Sequence, residues 1–243
     1  MQAIILHRQD FREYDEIISL YTLEAGKIDA LARSVKKITS KNSAHLEPFS
    51  LVEAEIIKGQ EVQHIIKSRG INIFPNIRQD IIKMSMASFV VRLYDLLIEV
   101  GERDENIFYL LQSWLEFLEV YTKPTATLVL GLEIKLLDRL GFTPILGDCG
   151  LNHESLPEDN FFFYPAGGML LCPNCGRIKT KAGEETVQFS RRLKDSLNIL
   201  LNGRWEKISE LVLSKEELKR LDEAVYLFLR YHSEKKVPRF KGL

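Results

Sequence analysis

Residues 17–32 of the chain read IISLYTLEAGKIDALA, and this stretch decides the fold of the N-terminal part. Short apolar runs rich in β-branched residues lie on both sides of Glu24-Ala25-Gly26-Lys27, a sequence typical of a tight turn. Residues 27–32 alternate polar and apolar side chains, which is the pattern of a half-buried strand. The stretch therefore predicts a β-hairpin.

More strand-like runs lie around this hairpin. Residues 53–57 and 62–66 stand on either side of Lys58-Gly59-Gln60 and predict a second hairpin. Five short strands in the N-terminal part predict a small closed barrel, for which the OB-fold is the nucleic-acid-binding candidate. An SH3-like barrel fits the same pattern nearly as well.

The hydrophobic period changes after Phe74-Pro75, where apolar residues begin to recur every three or four positions. We therefore predict an α+β protein, with an OB-fold β-barrel domain over residues 1–78 and a helical domain over residues 79–243. Helices are predicted at residues 105–120, 125–140, 190–201 and 214–232. Ser214 and Glu217 form a capping box at the start of the last one. Residues 141–182 lose periodicity and are predicted as an irregular, zinc-knuckle-like insertion.

The insertion holds all three cysteines, Cys149, Cys172 and Cys175. An odd number gathered in one segment favours a reduced compartment and a metal over a disulfide framework. The Cys-x-x-Cys turn of Cys172 and Cys175 lets two thiolates converge on one tetrahedral ion, and Cys149 with His153 adds a thiolate and an imidazole. We expect a structural Zn²⁺ site, because four protein ligands leave no position for an activated water.

Two other interpretations of the cysteines stay open. They are free thiols in a loop that needs no metal, or Cys172 and Cys175 are a redox dithiol. The dithiol is disfavoured because its Cys-x-x-Cys belongs at the start of a helix after a strand, whereas here the motif is expected to form a knuckle. Asn152 stands where a second Cys-x-x-Cys would place a thiol, so the zinc site is predicted to be degenerate.

Local clusters must supply any affinity for nucleic acid, because the formal net charge is only -1. No acidic residue lies between Asp29 and Glu47, a stretch that predicts a DNA-binding loop. A solvated surface loop is the alternative. Four aromatic residues of the N-terminal part are candidates for stacking on bases, although the core is their commoner location. The cations of the loop are Arg33, Lys36, Lys37 and Lys41, and the aromatic residues are Phe11, Tyr14, Tyr21 and Phe49.

Two further basic clusters lie in the C-terminal half. Arg191 and Arg192 begin a predicted helix, and Lys235, Lys236 and Arg239 lie near the end of the chain. We predict that both clusters also contact DNA, with solvated helix ends as the alternative.

The rest of the sequence argues against an enzyme and against a membrane protein. No Gly-x-Ser-x-Gly, His-Glu-x-x-His or phosphate-binding Gly-rich motif is present. The N-terminus does not resemble a signal peptide, and no run of about 18 apolar residues occurs. We expect a cytoplasmic, nucleoid-associated protein without catalytic residues.

Four motifs in this order resemble the bacterial RecO family, and together they span the chain. Residues 19–27 (SLYTLEAGK) with Ala32-Arg33, and residues 46–49 (LEPF), resemble the first strands of its OB-fold. Residues 136–144 (LLDRLGFTP) followed by Cys149 resemble its helix end before the first cysteine. Residues 167–175 (GGMLLCPNC) are similar to its Gly-Gly-x-Leu-x-Cys-x-x-Cys turn.

The resemblance implies a mediator of homologous recombination and DNA repair that has no enzymatic turnover. Members of the family bind single- and double-stranded DNA, anneal complementary strands and act with RecR to load RecA onto DNA covered by single-strand-binding protein (SSB). The resemblance also implies that the SSB C-terminal tail docks on the helical domain. Family members commonly have Cys-x-x-Cys in both halves of the knuckle, and this chain departs from that at Asn152.

Rival functions belong to other classes. A zinc-ribbon regulator that reads duplex DNA would need a recognition helix rich in Arg, Asn and Gln, and none stands out. An enzyme would need a cluster of perturbed titratable groups between barrel and helices. A protein-binding scaffold would lack affinity for DNA.

Overall fold

A computed structural model describes residues 1–37, 43–59, 62–233 and 235–242. The predicted DNA contact Lys41 lies outside these residues. The chain forms two compact units, one of residues 1–124 together with the C-terminal end from Phe240, and one of residues 125–239. The first unit thus includes helices as well as the barrel, and the proposed domain boundary at residue 78 stays a prediction. No helix among the described residues combines the length and the hydropathy needed to cross a bilayer.

The first unit begins with a closed five-stranded barrel, as predicted. Its strand order is β1-β2-β3-β5-β4, with β1 antiparallel to β4 and β3 parallel to β5 around Ala30 and Gln63. This order is OB-like and decides against the SH3-like alternative. The strands are β1 (Gln2–Asp10), β2 (Glu16–Thr22), β3 (Gly26–Ala32), β4 (Leu51–Lys58) and β5 (Gln63–Asn72).

The predicted hairpin joins β2 to β3, and its glycine is required there. Gly26 has a φ of 70°, and a Cβ on it would stand 2.1 Å from the carbonyl oxygen of Glu102. Small and branched apolar side chains fill the barrel, because alternate residues of each strand point inward. They include Ala3, Ile5, Ile18, Leu20, Ile28, Ala30, Val52 and Ala54.

Three α-helices complete the first unit, and an ion pair between a buried lysine and a half-buried aspartate ties one of them to the barrel. The ammonium of Lys27 on β3 lies 3.1 Å from the Asp95 carboxylate and also donates to the carbonyl of Ile98. Ser19 on β2 donates to the same carboxylate at 2.6 Å. The ion pair and these hydrogen bonds therefore link the barrel to the helix that carries Asp95. The helices are α1 (Pro75–Gln79), α2 (Ile81–Leu97) and α3 (Glu105–Val120).

The described part of the second unit contains five α-helices and a small sheet that the sequence did not predict. The sheet has the antiparallel order β7-β6-β8, and α5 follows β7 directly. Residues 141–182 are thus only partly irregular. The prediction failed because strands of three or four residues are too short to show a period, whereas Phe161, Phe163 and Phe189 are buried in the unit. The elements are α4 (Ala126–Arg139), β6 (Phe161–Tyr164), β7 (Met169–Leu171), α5 (Pro173–Lys181), β8 (Val187–Phe189), α6 (Arg191–Asn202), α7 (Trp205–Ser209) and α8 (Lys215–His232).

The long helices agree with the sequence-based bounds to within a residue or two. Thr125 and Ser190 stand at the N-caps of α4 and α6. At the start of α8 the Ser214 hydroxyl accepts from the Glu217 backbone, and the Glu217 carboxylate accepts from the Ser214 backbone. The capping box is therefore confirmed. The short helix α7 was not predicted.

Candidate metal centre and nucleic-acid surface

The three cysteines of the second unit converge. Their sulfur atoms all lie within 4.8 Å of one another, and Cys149 and Cys172 are buried. Cys149 belongs to a turn between α4 and β6, while Cys172 is the N-cap of α5 and Cys175 lies in its first turn. The sequence spacing predicted this convergence.

The Cys-x-x-Cys motif does not form the knuckle expected from the sequence. The Cys-x-x-Cys motif does stand at the start of a helix directly after a strand, since β7 leads into α5 at Cys172. The sheet beside it is antiparallel throughout, unlike that of a βαβ unit. The case for a metal over a dithiol now rests on the third sulfur, which a dithiol does not need.

The electrostatics of the cluster suit a bound cation. Burial raises the pKa of the Cys149 thiol, but backbone N–H groups of Cys172, Leu151 and Asn152 act against it, so that the pKa falls below its usual value. Burial and the two neighbouring sulfurs raise the pKa of Cys175 to about 12. The neighbouring sulfurs thus disfavour ionisation of Cys175. A divalent ion would remove this repulsion, and three sulfur donors suit Zn²⁺, so the residues fit the ion.

Asn152 and His153 occupy the turn after Cys149. The Asn152 amide nitrogen donates to Cys172 Sγ at 3.6 Å. The His153 backbone N–H donates to the Cys149 carbonyl at 2.9 Å, with a φ of 58°, and its side chain is exposed. Among the described residues, the group of converging ligand atoms contains the three cysteines without the imidazole. His153 as fourth ligand stays a prediction.

The basic loop after β3 packs against the loop between β1 and β2. The Ser34 backbone N–H donates to the Asp15 carboxylate at 2.8 Å, and that of Lys36 donates to the Tyr14 carbonyl at 3.2 Å. Arg33 and Lys37 are exposed, whereas the Lys36 ammonium pairs with Asp10 at 2.7 Å. In the part of the chain that the structure describes, no salt bridge engages Arg33 or Lys37. These two side chains are the best placed for phosphates.

Aromatic side chains accompany these cations. Phe11 and Tyr14 are 50% and 44% exposed, so the expectation that both belong to the core is wrong for them. The Lys37 ammonium lies 5.3 Å from the centre of the Tyr14 ring, and the Arg12 guanidinium lies 5.0 Å from that of Phe11. Arg12 was not predicted from the sequence, although its place between two turn aromatics was a usable signal. Tyr21 and Phe49 are buried.

The basic side chains of the second unit differ in their exposure and in whether a carboxylate pairs with them. Arg191 and Lys236 are exposed. Arg192 pairs with Glu217 at 3.2 Å and donates to the Val212 carbonyl at 2.6 Å. Arg239 donates to the carboxylates of Asp222 and Glu223, which neutralise it. Lys235 is half-buried.

Both parts of the chain match one family. The model for the N-terminal part of recombination protein O covers residues 1–74, and the model for its C-terminal part covers residues 78–239. The chain belongs to the RecO family. A general role in DNA repair follows, and the OB-like barrel and the helical part agree with it.

RecO proteins of several bacteria are similar to the chain over most of its length. The DNA repair protein RecO of Symbiobacterium thermophilum is 27% identical over 239 residues, which cover 98% of this chain and 93% of the relative. That of Dehalococcoides mccartyi strain BAV1 is 30% identical over 236 residues, 96% and 90% of the two chains. That of Geobacter metallireducens is 30% identical over 191 residues, which cover 79% of this chain and 78% of the relative.

Proposed function

We propose that this RecO-family protein is a non-enzymatic recombination mediator. It binds single- and double-stranded DNA, anneals complementary strands and acts with RecR to load RecA onto SSB-coated DNA at the nucleoid, in the cytoplasm. The observation that carries the proposal is the surface formed by two packed loops of an OB-like barrel. That surface, termed the barrel surface below, presents Phe11, Arg12, Tyr14, Arg33 and Lys37.

The chemistry of the barrel surface suits binding without base readout. Lys and Arg neutralise phosphates and release counterions on any sequence, and exposed aromatic rings stack on unpaired bases of any kind. Two of the nearby acids are engaged, since Asp10 pairs with Lys36 and Asp15 accepts from Ser34, whereas Glu13 is exposed in the same loop. Annealing needs such a surface to hold two strands together, and it needs no nucleotide hydrolysis.

The second unit is proposed to contribute a further DNA contact. Arg191 and Lys236 are its leading residues because both are exposed. Arg192, Lys235 and Arg239 belong to the proposed set but contribute less, because Arg192 and Arg239 already hold carboxylates. The SSB tail, an acidic and apolar peptide, is proposed to dock on this unit beside a basic side chain.

A structural zinc ion is proposed for the cysteine cluster. Cys149, Cys172 and Cys175 supply three ligands, and His153 is the proposed fourth. The ion would neutralise the thiolates and fasten the turn of Cys149 to the start of α5. It has no role in chemistry on DNA.

Fluorescence anisotropy with labelled single-stranded and duplex oligonucleotides, at two salt concentrations, tests the proposal. We expect both ligands to bind, with affinity that falls steeply as salt rises and depends little on sequence. Binding that prefers one duplex sequence would favour a zinc-ribbon regulator. Absence of binding to either ligand would favour a protein-binding scaffold.

A further inference from the structure

The side chain of Asn152 is held at both ends. Its amide oxygen accepts the backbone N–H of Glu154 at 3.1 Å, and its amide nitrogen donates to Cys172 Sγ at 3.6 Å. The donor end of the amide therefore faces the cysteine cluster, and the acceptor end is used by the turn.

The position of Asn152 is that of a missing thiol. Cys149 and Asn152 have the same spacing as Cys172 and Cys175. The His153 backbone N–H donates to the Cys149 carbonyl at 2.9 Å, which closes the turn that contains Asn152. An N–H group cannot ligate a cation, because it offers no lone pair to the ion. Asn152 therefore presents no ligand atom to the ion, and its amide donates to a ligand instead.

We propose that Asn152 is a positioning residue that makes the metal centre a three-thiolate site. Its amide donates a hydrogen bond to the Cys172 thiolate and orients it, and the fourth position of the ion is left to a weaker donor, His153 or water. A stronger exogenous donor, such as a small thiol, can displace that ligand. The inference rests on the proposed metal, and it concerns the fourth corner alone.

The net charge of the metal centre predicts how tightly it holds the ion. Three thiolates leave a divalent ion with a net charge of -1, and a fourth would make it -2 with one more strong bond to sulfur. The hydrogen bond from Asn152 withdraws charge from Cys172 and fixes its direction, as partners beyond the ligands of a metal site do. Metal is therefore held less tightly here than in a four-cysteine site, and the ion stays accessible to added ligands.

Co²⁺ is the probe, because its absorption reports how many thiolates bind it. Asn152→Cys should raise the thiolate-to-Co²⁺ charge-transfer absorbance by roughly one third, since a fourth thiolate joins three, and should slow removal of the ion by a chelator. Asn152→Ala should release Co²⁺ faster than the wild type. Asn174→Ala is the matched control, because Asn174 is an exposed asparagine between the two cysteines of the other turn.

The wild-type protein gives a test that needs no variant. Titration of the Co²⁺-loaded protein with a small thiol should shift its d–d bands, and the same titration should leave Asn152→Cys unchanged. Unchanged wild-type bands, or equal absorbance and equal release for wild type and Asn152→Cys, would overturn the three-thiolate site. Failure of the wild type to take up Co²⁺ would also overturn it, together with the zinc proposal. DNA binding measured on the same samples reports separately on the proposed function.

Discussion

Arg33 and Lys37 are the exposed cations on which DNA binding should depend most. Replacing both with alanine should weaken binding of all sequences about equally and reduce the slope of log affinity against log salt by roughly two, because two phosphate contacts are lost. Salt-dependent anisotropy measures both effects. The double variant Lys58→Ala with Arg69→Ala removes the same charge from exposed positions of β4 and β5. An equal loss in that control would show that net charge, and not the barrel surface, binds DNA.

Phe11 and Tyr14 should distinguish single strands from duplexes. Replacing both with alanine should cost about 1–3 kcal/mol for each base that stacks in a single strand, and little in a duplex, whose bases are already stacked. Tyr14→Phe keeps the ring and should keep the affinity. Tyr109→Ala removes an equally exposed ring, at 50%, from α3 and serves as the control. Equal losses of affinity for single strands and for duplexes would show that the two rings do not stack on bases.

Glu133 should make stability depend on pH. Burial and the charge of Asp222 raise its pKa from 4.5 to about 8, with Arg239 acting against them. The folded chain therefore holds a proton that the unfolded chain releases, and the contribution to stability is full below pH 4.5 and is lost as pH rises through about 8. Glu133→Gln, which cannot ionise, should raise Tm relative to wild type at pH 9 and not at pH 5. Glu206→Gln, at an exposed position of α7, should change Tm at neither pH. A constant difference between Glu133→Gln and wild type at both pH values would contradict the buried proton.

The barrel and α2 are joined by Lys27 and Asp95, and their pairing predicts a cooperative response. Asp95→Ala leaves the buried ammonium of Lys27 without its counterion and should lower the free energy of unfolding by about 3 kcal/mol. Adding Lys27→Met to Asp95→Ala should restore part of that loss, because no buried charge then remains. Urea unfolding of the single and double variants measures the coupling. Additive losses would show that the pair makes no net contribution.

Elements with strong local signals were predicted well, and elements held by distant residues were not. The hairpin of β2 and β3 and the capping box of Ser214 depend on neighbours in sequence, so their pattern was sufficient. In the sheet of β6, β7 and β8, Phe163 packs against Phe189 and against Phe228 of α8, contacts that leave no local pattern in the sequence. The ion pair of Lys27 and Asp95 likewise joins residues far apart in sequence.

The candidate sites were likewise predicted only in part from the sequence. The spacing of Cys149, Cys172 and Cys175 predicted their convergence, because turn geometry follows from Cys-x-x-Cys. The direction of the Asn152 amide could not be predicted, since it depends on which end the turn uses. The basic loop was found from its lack of acids. In its partner loop, Phe11 and Tyr14 were expected in the core but are exposed, because exposure is not readable from residue type.

Across the whole chain, family membership, the OB-like barrel and the barrel surface lead to one central claim, that the protein pairs complementary DNA strands without an energy source. Annealing of two complementary fluorescent oligonucleotides, bare and coated with SSB, without ATP and at two salt concentrations, tests it most directly. The account predicts annealing that is faster than the spontaneous reaction, persists on SSB-coated strands and slows as salt rises. Annealing no faster than the spontaneous reaction on bare strands, under conditions where the protein binds DNA, would contradict it.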